Sequence, residues 1–440
     1  MIHSFSLAAV FAYYASISLA ISTCEKISSI SNIEIKEKFT VPYAQDQKEY
    51  WSADCGRLKP SCILEPQSPE KLSLIVRTLG ENNETFAIKS GGHNPNRGFS
   101  SVDGGPLISL KGFNEITYDE SSGLGLEPKG VTAVGGRIGH VGVGGYILGG
   151  GLSYLSTQTG WTMNTVVEFD VVLANGDIVK ASNCQNTDLF NVLRGGGNAY
   201  GIVTTYTLKT HKIGKVWGGN LTISADKSNE VLAAVRDFTE YYPDDKAAII
   251  ATRNIGIENQ LDIWLIFLFY DGETAPAGTF DNFTNIGPIL NTAKTQSYFG
   301  FAATNANALV PGLLGTLSLQ PIPKRLARHA RENGGDLLDL DDSVDRLLVE
   351  LNYTYTFPSY VPQIESALKA VTDAVRKDTL DRIKEGTLPD AHLPLFMNDA
   401  NHAQDYFGRL RPEKLEYARR IRSEYDPKGL FRDRTGGFKM

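Results

Sequence analysis

The chain has 440 residues, of which 42% are hydrophobic and 21% charged, with a formal net charge of -7. That length and apolar content allow two ordinary cores, so two domains are expected and disorder is excluded. The acidic balance argues against nucleic acid or an anionic membrane as partner, because either needs clustered Lys and Arg to meet phosphate charge; small-molecule chemistry fits better.

Taken from the N-terminus, the run Phe5 to Ala20 is apolar but short for a membrane span, and it ends in Ser18-Leu19-Ala20, with small residues where a signal peptidase reads. Cleavage after Ala20 and a secreted or secretory-lumen protein are expected. The flank before the run has no Lys or Arg, so a retained anchor is the alternative. In an oxidising compartment Cys24, Cys55, Cys62 and Cys184 allow three connectivities for two bridges. A single bridge from Cys24 to Cys62, tying the mature N-terminus to the main domain, is the favoured pairing. The cysteines fit no zinc spacing, and no metal is expected. Asn83, Asn220, Asn282 and Asn352 begin N-glycosylation triplets.

Phe86 to Lys89 and Leu107 to Leu110 read as short strands. Val166 to Leu173 alternates apolar and acidic residues before Asn175-Gly176, which predicts a strand leading into a two-residue hairpin turn. Ile202 to Lys209 is a further strand and Leu261 to Phe269 a buried one. Asn229 to Tyr241 and Val361 to Val375 have the apolar spacing of amphipathic helices. A last helix follows Arg411-Pro412, with Leu415, Ala418 and Ile421 on one face and Pro427-Lys428-Gly429 stopping it.

Glycines carry the strongest chemical signal. Gly142, Gly144, Gly145, Gly149, Gly150 and Gly151 leave backbone N–H groups bare, so a pyrophosphate can approach and accept several of them. Tight turns in a β-rich core are the alternative reading of glycines alone. No Gly-x-x-x-x-Gly-Lys-Ser/Thr loop is present and no Gly-x-Gly-x-x-Gly follows a strand, which excludes a P-loop ATPase and an ordinary Rossmann dehydrogenase. His93 follows Ser90-Gly91-Gly92 at a strand end, where an imidazole nitrogen could meet the ring of a bound dinucleotide.

These motifs, in order, are similar to those of the berberine bridge enzyme-like flavoproteins of fungi, within the vanillyl-alcohol oxidase or PCMH-type FAD-binding family. The matching residues include Trp51, Lys89-Ser90-Gly91-Gly92-His93, Val141-Gly142-Val143-Gly144-Gly145, Leu148-Gly149-Gly150-Gly151-Leu152-Ser153, Leu193-Arg194-Gly195-Gly196-Gly197, Gly201-Ile202-Val203-Thr204, Phe396-Met397-Asn398 and Tyr425-Asp426-Pro427-Lys428-Gly429-Leu430-Phe431. The resemblance implies an α+β fold. A two-lobed PCMH-type FAD-binding domain would span 21–212, and a substrate domain of antiparallel sheet covered by helices 213–395. A C-terminal segment, 396–440, would return to the FAD domain.

It further implies FAD as cofactor, with Ser90, Gly91, Gly92, His93 and Asn94 at the pyrophosphate and His93 bonded covalently to the flavin 8α-methyl. Val141, Gly142, Gly144, Gly145, Gly149, Gly150 and Ser153 would line the ribityl and pyrophosphate path. Gly201, Ile202 and Val203 would offer backbone to the adenine, and Asn398 would lie near the ring. The implied activity is a two-electron oxidation of an alcohol, sugar or secondary metabolite by a monomer, with molecular oxygen as acceptor. A dehydrogenase using another acceptor is the alternative within the fold.

Three departures stand out. Ile138 occupies the place where some relatives carry a second, cysteinyl link, so a single link is expected. Many relatives have Tyr where Phe396 stands; Tyr353, Tyr355 and Glu350, on one expected strand, are the candidates for a base in its stead. Relatives also carry a strand and a helix between positions matching Gly125 and Leu126, which here adjoin directly, as an internal deletion would leave them. An inactive or mis-spliced paralogue is therefore the competing reading.

Overall fold

The computed structural model describes residues 21–117, 130–242, 244–256, 260–306, 313–355 and 357–440. The leader and the Gly125–Leu126 junction lie outside the described residues.

The first sheet has four strands in the spatial order Glu34–Glu37, Cys62–Glu65, Leu107–Ser109, Ala87–Lys89. The outer pair is antiparallel and the other two pairs are parallel. Parallel neighbours need a crossover, and the helix Pro69–Glu81 supplies part of it. Ser68 caps its first turn by accepting from the Lys71 N–H, and Pro69 follows at the first helical position, where no N–H is needed. Leu72, Ile75, Val76 and Leu79 recur at helical spacing and are fully buried against Leu64 and Ile108. Cys24 and Cys62 are bonded, fastening the first helix to this sheet, while Cys55 and Cys184 are free thiols.

A second lobe holds the antiparallel strands Ile178–Ser182, Val166–Val172 and Ile202–Leu208, with a separate ribbon of Val131–Ala133 and Thr210–Lys212. The hairpin after Val172 is present, but its loop is one residue longer than the Asn175-Gly176 signal suggests. The Leu173 carbonyl accepts from Gly176 N–H and its N–H donates to the Asp177 carbonyl. A two-residue turn of that kind needs positive φ at both central positions, and here only Gly176, at +83°, has it.

The third layer is an antiparallel sheet of seven strands. Lys215–Ser224 lies between Asp262–Tyr270 on one side and the short Leu290–Asn291 and Lys294–Ser297 on the other. Beyond Asp262–Tyr270 follow Ala247–Gly256, Leu313–Ile322 and, at the edge, Arg346–Tyr353. The helix Ser228–Tyr241 covers one face, burying Val231, Ala234, Val235 and Phe238 against Leu221, Trp264, Ile266 and Leu268. Asn220 sits in the middle of this sheet and is buried, so it takes no glycan; Asn83, Asn282 and Asn352 are exposed.

Two helices extend the sequence reading. Val361–Lys384 runs nine residues past Val375, because the i,i+4 pairs Lys377–Asp381 and Asp378–Arg382 carry it on where the apolar spacing stops. None of its residues is buried: its stripe of Val361, Ile364, Leu368 and Val375 faces a cleft instead of a core. The tail helix Pro412–Tyr425 buries Ala418 and Ile421 in the second lobe, whereas Leu430 and Phe431 enter the core of the first. Asp426 holds that turn by accepting from the N–H groups of Leu430, Phe431 and Arg432.

Candidate active site

Between the two N-terminal lobes and the free face of the seven-stranded sheet lies a cleft of about 2050 Å³. Ligand pockets ordinarily measure roughly 300–1,000 Å³. This one has room for a dinucleotide and a second molecule.

Its floor begins where the strand Ala87–Lys89 ends. Lys89 is 1% exposed and anchors the following turn, donating 2.7 Å to the Asp46 carbonyl with its ammonium 4.1 Å from the centre of the Tyr50 ring. Burial pulls its pKa down to about 8. Asp46 in turn pairs with Lys36 at 2.6 Å and Lys111 at 3.0 Å. The turn must bend at Gly92, whose φ is +67°, and its carbonyl accepts from the Trp51 N–H. Gly91 then passes directly over Gly142. A Cβ on Gly91 would come 2.4 Å from the Gly142 nitrogen, so two backbones meet here with no side chain between them. Ser90 Oγ accepts from Gly144 N–H at 3.3 Å.

His93 projects beside this junction, its ring 4.6 Å from that of Trp51. Burial, helped by nearby His140, holds its pKa below the usual value, which keeps a ring nitrogen free to react at neutral pH. Asn94 turns its amide oxygen back to accept from Asn96 N–H.

Ser90, Gly91, Gly92, His93, Asn94, Val141, Gly142, Gly144, Gly145, Gly201, Ile202, Val203 and Asn398 all line the one cleft. Gly149, Gly150 and Ser153 do not. The first two pack behind the wall against Asn398 and Phe396, and Ser153 is spent on its own turn, where its N–H donates to Ser156 Oγ and its Oγ accepts from Leu155 N–H. They lie behind the cleft lining.

Asn398 is equally committed. Its Oδ1 accepts from Gly151 N–H at 2.9 Å and its Nδ2 donates to the Gly145 carbonyl at 3.1 Å, so it clamps the glycine loops together. Phe396 stacks on Trp161, ring centroids 5.0 Å apart. All three proposed bases line the cleft; Glu350 shares the Gln320 amide with Asp399, and Tyr355 lies near Asp54 and Arg57. Alternation along the strand puts Tyr353 on the opposite face from Glu350. Tyr355 lies past the strand end, and burial raises its phenol, which makes it a poorer base.

The sequence reading missed three groups. Asp399 faces Glu350 across Gln320: Gln320 Nε2 donates to Glu350 at 3.1 Å and to Asp399 at 3.0 Å, and Gln320 Oε1 accepts from Arg137. Asn96 joins the His93 turn to the Asn398 loop, donating to the Ala400 carbonyl and accepting from His402 N–H. Ser100 lines the cleft, and its buried hydroxyl has no partner among the described residues. An unpartnered donor, bare glycine backbone and a neutral imidazole along one trough match what FAD requires, so the residues present fit that cofactor. Among the described residues no cysteine lines the cleft, and Ile138 does.

No family model matches the chain. It is 38% identical over 467 aligned residues to an uncharacterized FAD-linked oxidoreductase of Arthroderma benhamiae, covering 93% of each chain. That aligned length exceeds this chain's own 440 residues, so the relative carries residues with no counterpart here. The FAD-dependent monooxygenase tpcD of Cochliobolus heterostrophus is 28% identical, with 89% of this chain and 87% of tpcD covered. Among solved structures, berberine bridge enzyme from Eschscholzia californica superposes with a TM-score of 0.74 at 16% identity, over 95% of this chain and 99% of that one.

Proposed function

Since the chain belongs to the FAD-linked oxidoreductases of the berberine bridge enzyme-like, vanillyl-alcohol oxidase family, we propose that it is an oxidase acting on an alcohol, sugar or secondary metabolite. When bound, FAD would supply a two-electron acceptor for hydride from a substrate carbon, with molecular oxygen as the final oxidant and hydrogen peroxide as its product.

The residues divide the remaining work. Ser90 to Asn94 and Val141 to Gly145 hold the pyrophosphate on backbone N–H groups, and Gly201 to Val203 receive the adenine end. His93 forms the single covalent link. Asn398 keeps the two glycine loops at their spacing. Glu350 takes the proton that leaves the substrate oxygen, a role open because Phe396 cannot ionise. The observation that carries this reading is the backbone contact of Gly91 with Gly142 beside His93, in the cleft that Glu350 also lines.

The test is direct. Protein purified in the dark is expected to be yellow, to keep its flavin through acid precipitation, and to release one hydrogen peroxide per substrate oxidised when offered panels of alcohols and oligosaccharides. Incorporation of labelled oxygen into product, with no peroxide, would instead mark a monooxygenase. A flavin that is reduced by substrate yet stable in air would mark a dehydrogenase.

The same reading includes a secreted location, with cleavage after Ala20 and division of the chain near 212 and 395. The Cys24–Cys62 bond supports the secretory route, because disulfides persist in oxidising compartments. N-terminal sequencing of protein from culture medium is expected to begin at Ile21; a start at Met1 would overturn the leader assignment.

A further inference from the structure

One feature of the cleft exceeds what a lone base requires. Gln320 is 1% exposed, and its single amide nitrogen spends both hydrogens on carboxyl groups, one from the edge strand and one from the C-terminal loop. Its oxygen is taken by Arg137, which fixes the amide orientation and so leaves the two carboxyls no other donor from this residue. The groups facing Asp399 are Glu350, Arg137 and Gln320. Two negative charges sharing one amide nitrogen, with the one guanidinium bonded to that amide's oxygen, repel in a partly desolvated site.

We infer that Glu350 and Asp399 form a proton-sharing pair, in which Asp399 keeps a resting proton and Glu350 receives the substrate's. Burial and the Glu350 charge hold the Asp399 carboxyl well above the usual carboxylate range, which agrees with that division. The inference rests on the oxidase reading and adds the proton path to it. Oxidation of a carbinol carbon breaks one C–H and one O–H bond: the hydride leaves with two electrons, and the proton passes to the pair, which then holds two. Reduction of dioxygen to hydrogen peroxide consumes those two electrons, the hydride's hydrogen and one proton, and the pair returns to holding one. Asp399 acts through Glu350 and is a positioning residue.

Two substrate-free measurements test this. Infrared spectra of the holoprotein across neutral to alkaline pH are expected to show a protonated carboxyl band that titrates above the ordinary carboxylate range, present in Glu350→Gln and absent in Asp399→Asn. Persistence of the band in Asp399→Asn, or its absence from the wild type, overturns the pair. Reoxidation of the photoreduced flavin by air is expected to slow as pH rises in the wild type and to lose that inflection in Asp399→Asn; identical profiles also overturn it. A wild-type protein that holds no flavin would sink the oxidase reading, while the infrared band would still decide the pair.

Discussion

The indole of Trp51 lies over the imidazole of His93 with 29° between their planes, and the Trp51 N–H donates to the carbonyl of Gly92, the residue before that histidine. One residue therefore fixes both the ring and the backbone of the expected flavin attachment point, although it comes from a segment some forty positions earlier in the chain.

His93→Ala is expected to abolish acid-stable flavin while leaving the protein able to bind FAD reversibly, as read by fluorescence of denatured protein bands. Trp51→Ala is expected to slow covalent incorporation, and Trp51→Phe to restore much of it. A stacked aromatic pair contributes about 0.5–1.5 kcal/mol, so the slowing should be roughly two- to tenfold.

Asn398→Ala removes both bonds that join Gly145 to Gly151. Loss of the Gly151 bond leaves its buried N–H unpaired at a cost of about 1–3 kcal/mol, whereas the exposed Gly145 carbonyl still accepts from Gly149 N–H. The expected result is a lower melting temperature and, in a His93→Ala background, at least tenfold weaker FAD binding by titration. Asn398→Asp keeps the acceptor for Gly151 but not the donor for Gly145, and should fall between.

Glu350→Gln is expected to cut the rate of flavin reduction by substrate about 10²-fold or more under anaerobic stopped flow, the usual worth of a positioned base. Flavin content should be unchanged, since Glu350 touches none of the glycine turns.

The shift at Asp399 also bears on stability. Its folded-state pKa lies above the unfolded value, so between the two the folded protein binds more protons. Its contribution is complete below the unfolded pKa and is lost as pH rises through the folded one. Asp399→Asn should therefore flatten the decline of the melting temperature between the ordinary carboxylate range and about pH 8. An unchanged slope would contradict the assignment.

A relative's segment inserted between Gly125 and Leu126 is expected to raise the flavin per chain of the 440-residue form, measured by absorbance, from well below one toward one. Full loading without the insert would show that the cradle closes without such a segment.

Much of this was legible in the sequence, and for local reasons. The strand before Ser90 and the helix after Arg411-Pro412 are set by neighbours within a few positions. The hairpin at Asn175-Gly176 was readable as a hairpin, but its loop length depends on the φ of Asn175, which the dipeptide alone does not fix. What escaped was long-range. Glu350 and Asp399 are brought together only because the tail folds back past Gln320, and no periodicity announces a meeting of that kind. Asn398 was legible as a residue of the cleft, but its bonds to Gly145 and Gly151 were not, because a motif does not say which backbone groups an amide will clamp. The Val361–Lys384 helix shows the same limit: its apolar stripe predicted a helix but could not tell a core from a cleft.

That helix has an evolutionary corollary. It forms a wall of the cleft yet buries none of its residues, so replacing Ile364, Leu368, Thr372 or Val375 costs the fold little, typically within about 0.5 kcal/mol for surface positions. Glu365 of the helix pairs with His402, but none of these four side chains is part of the hydrogen-bond network of the glycine turns or of Gln320. A lineage could retune which molecules it admits, one helix face at a time, without risking the machinery beneath.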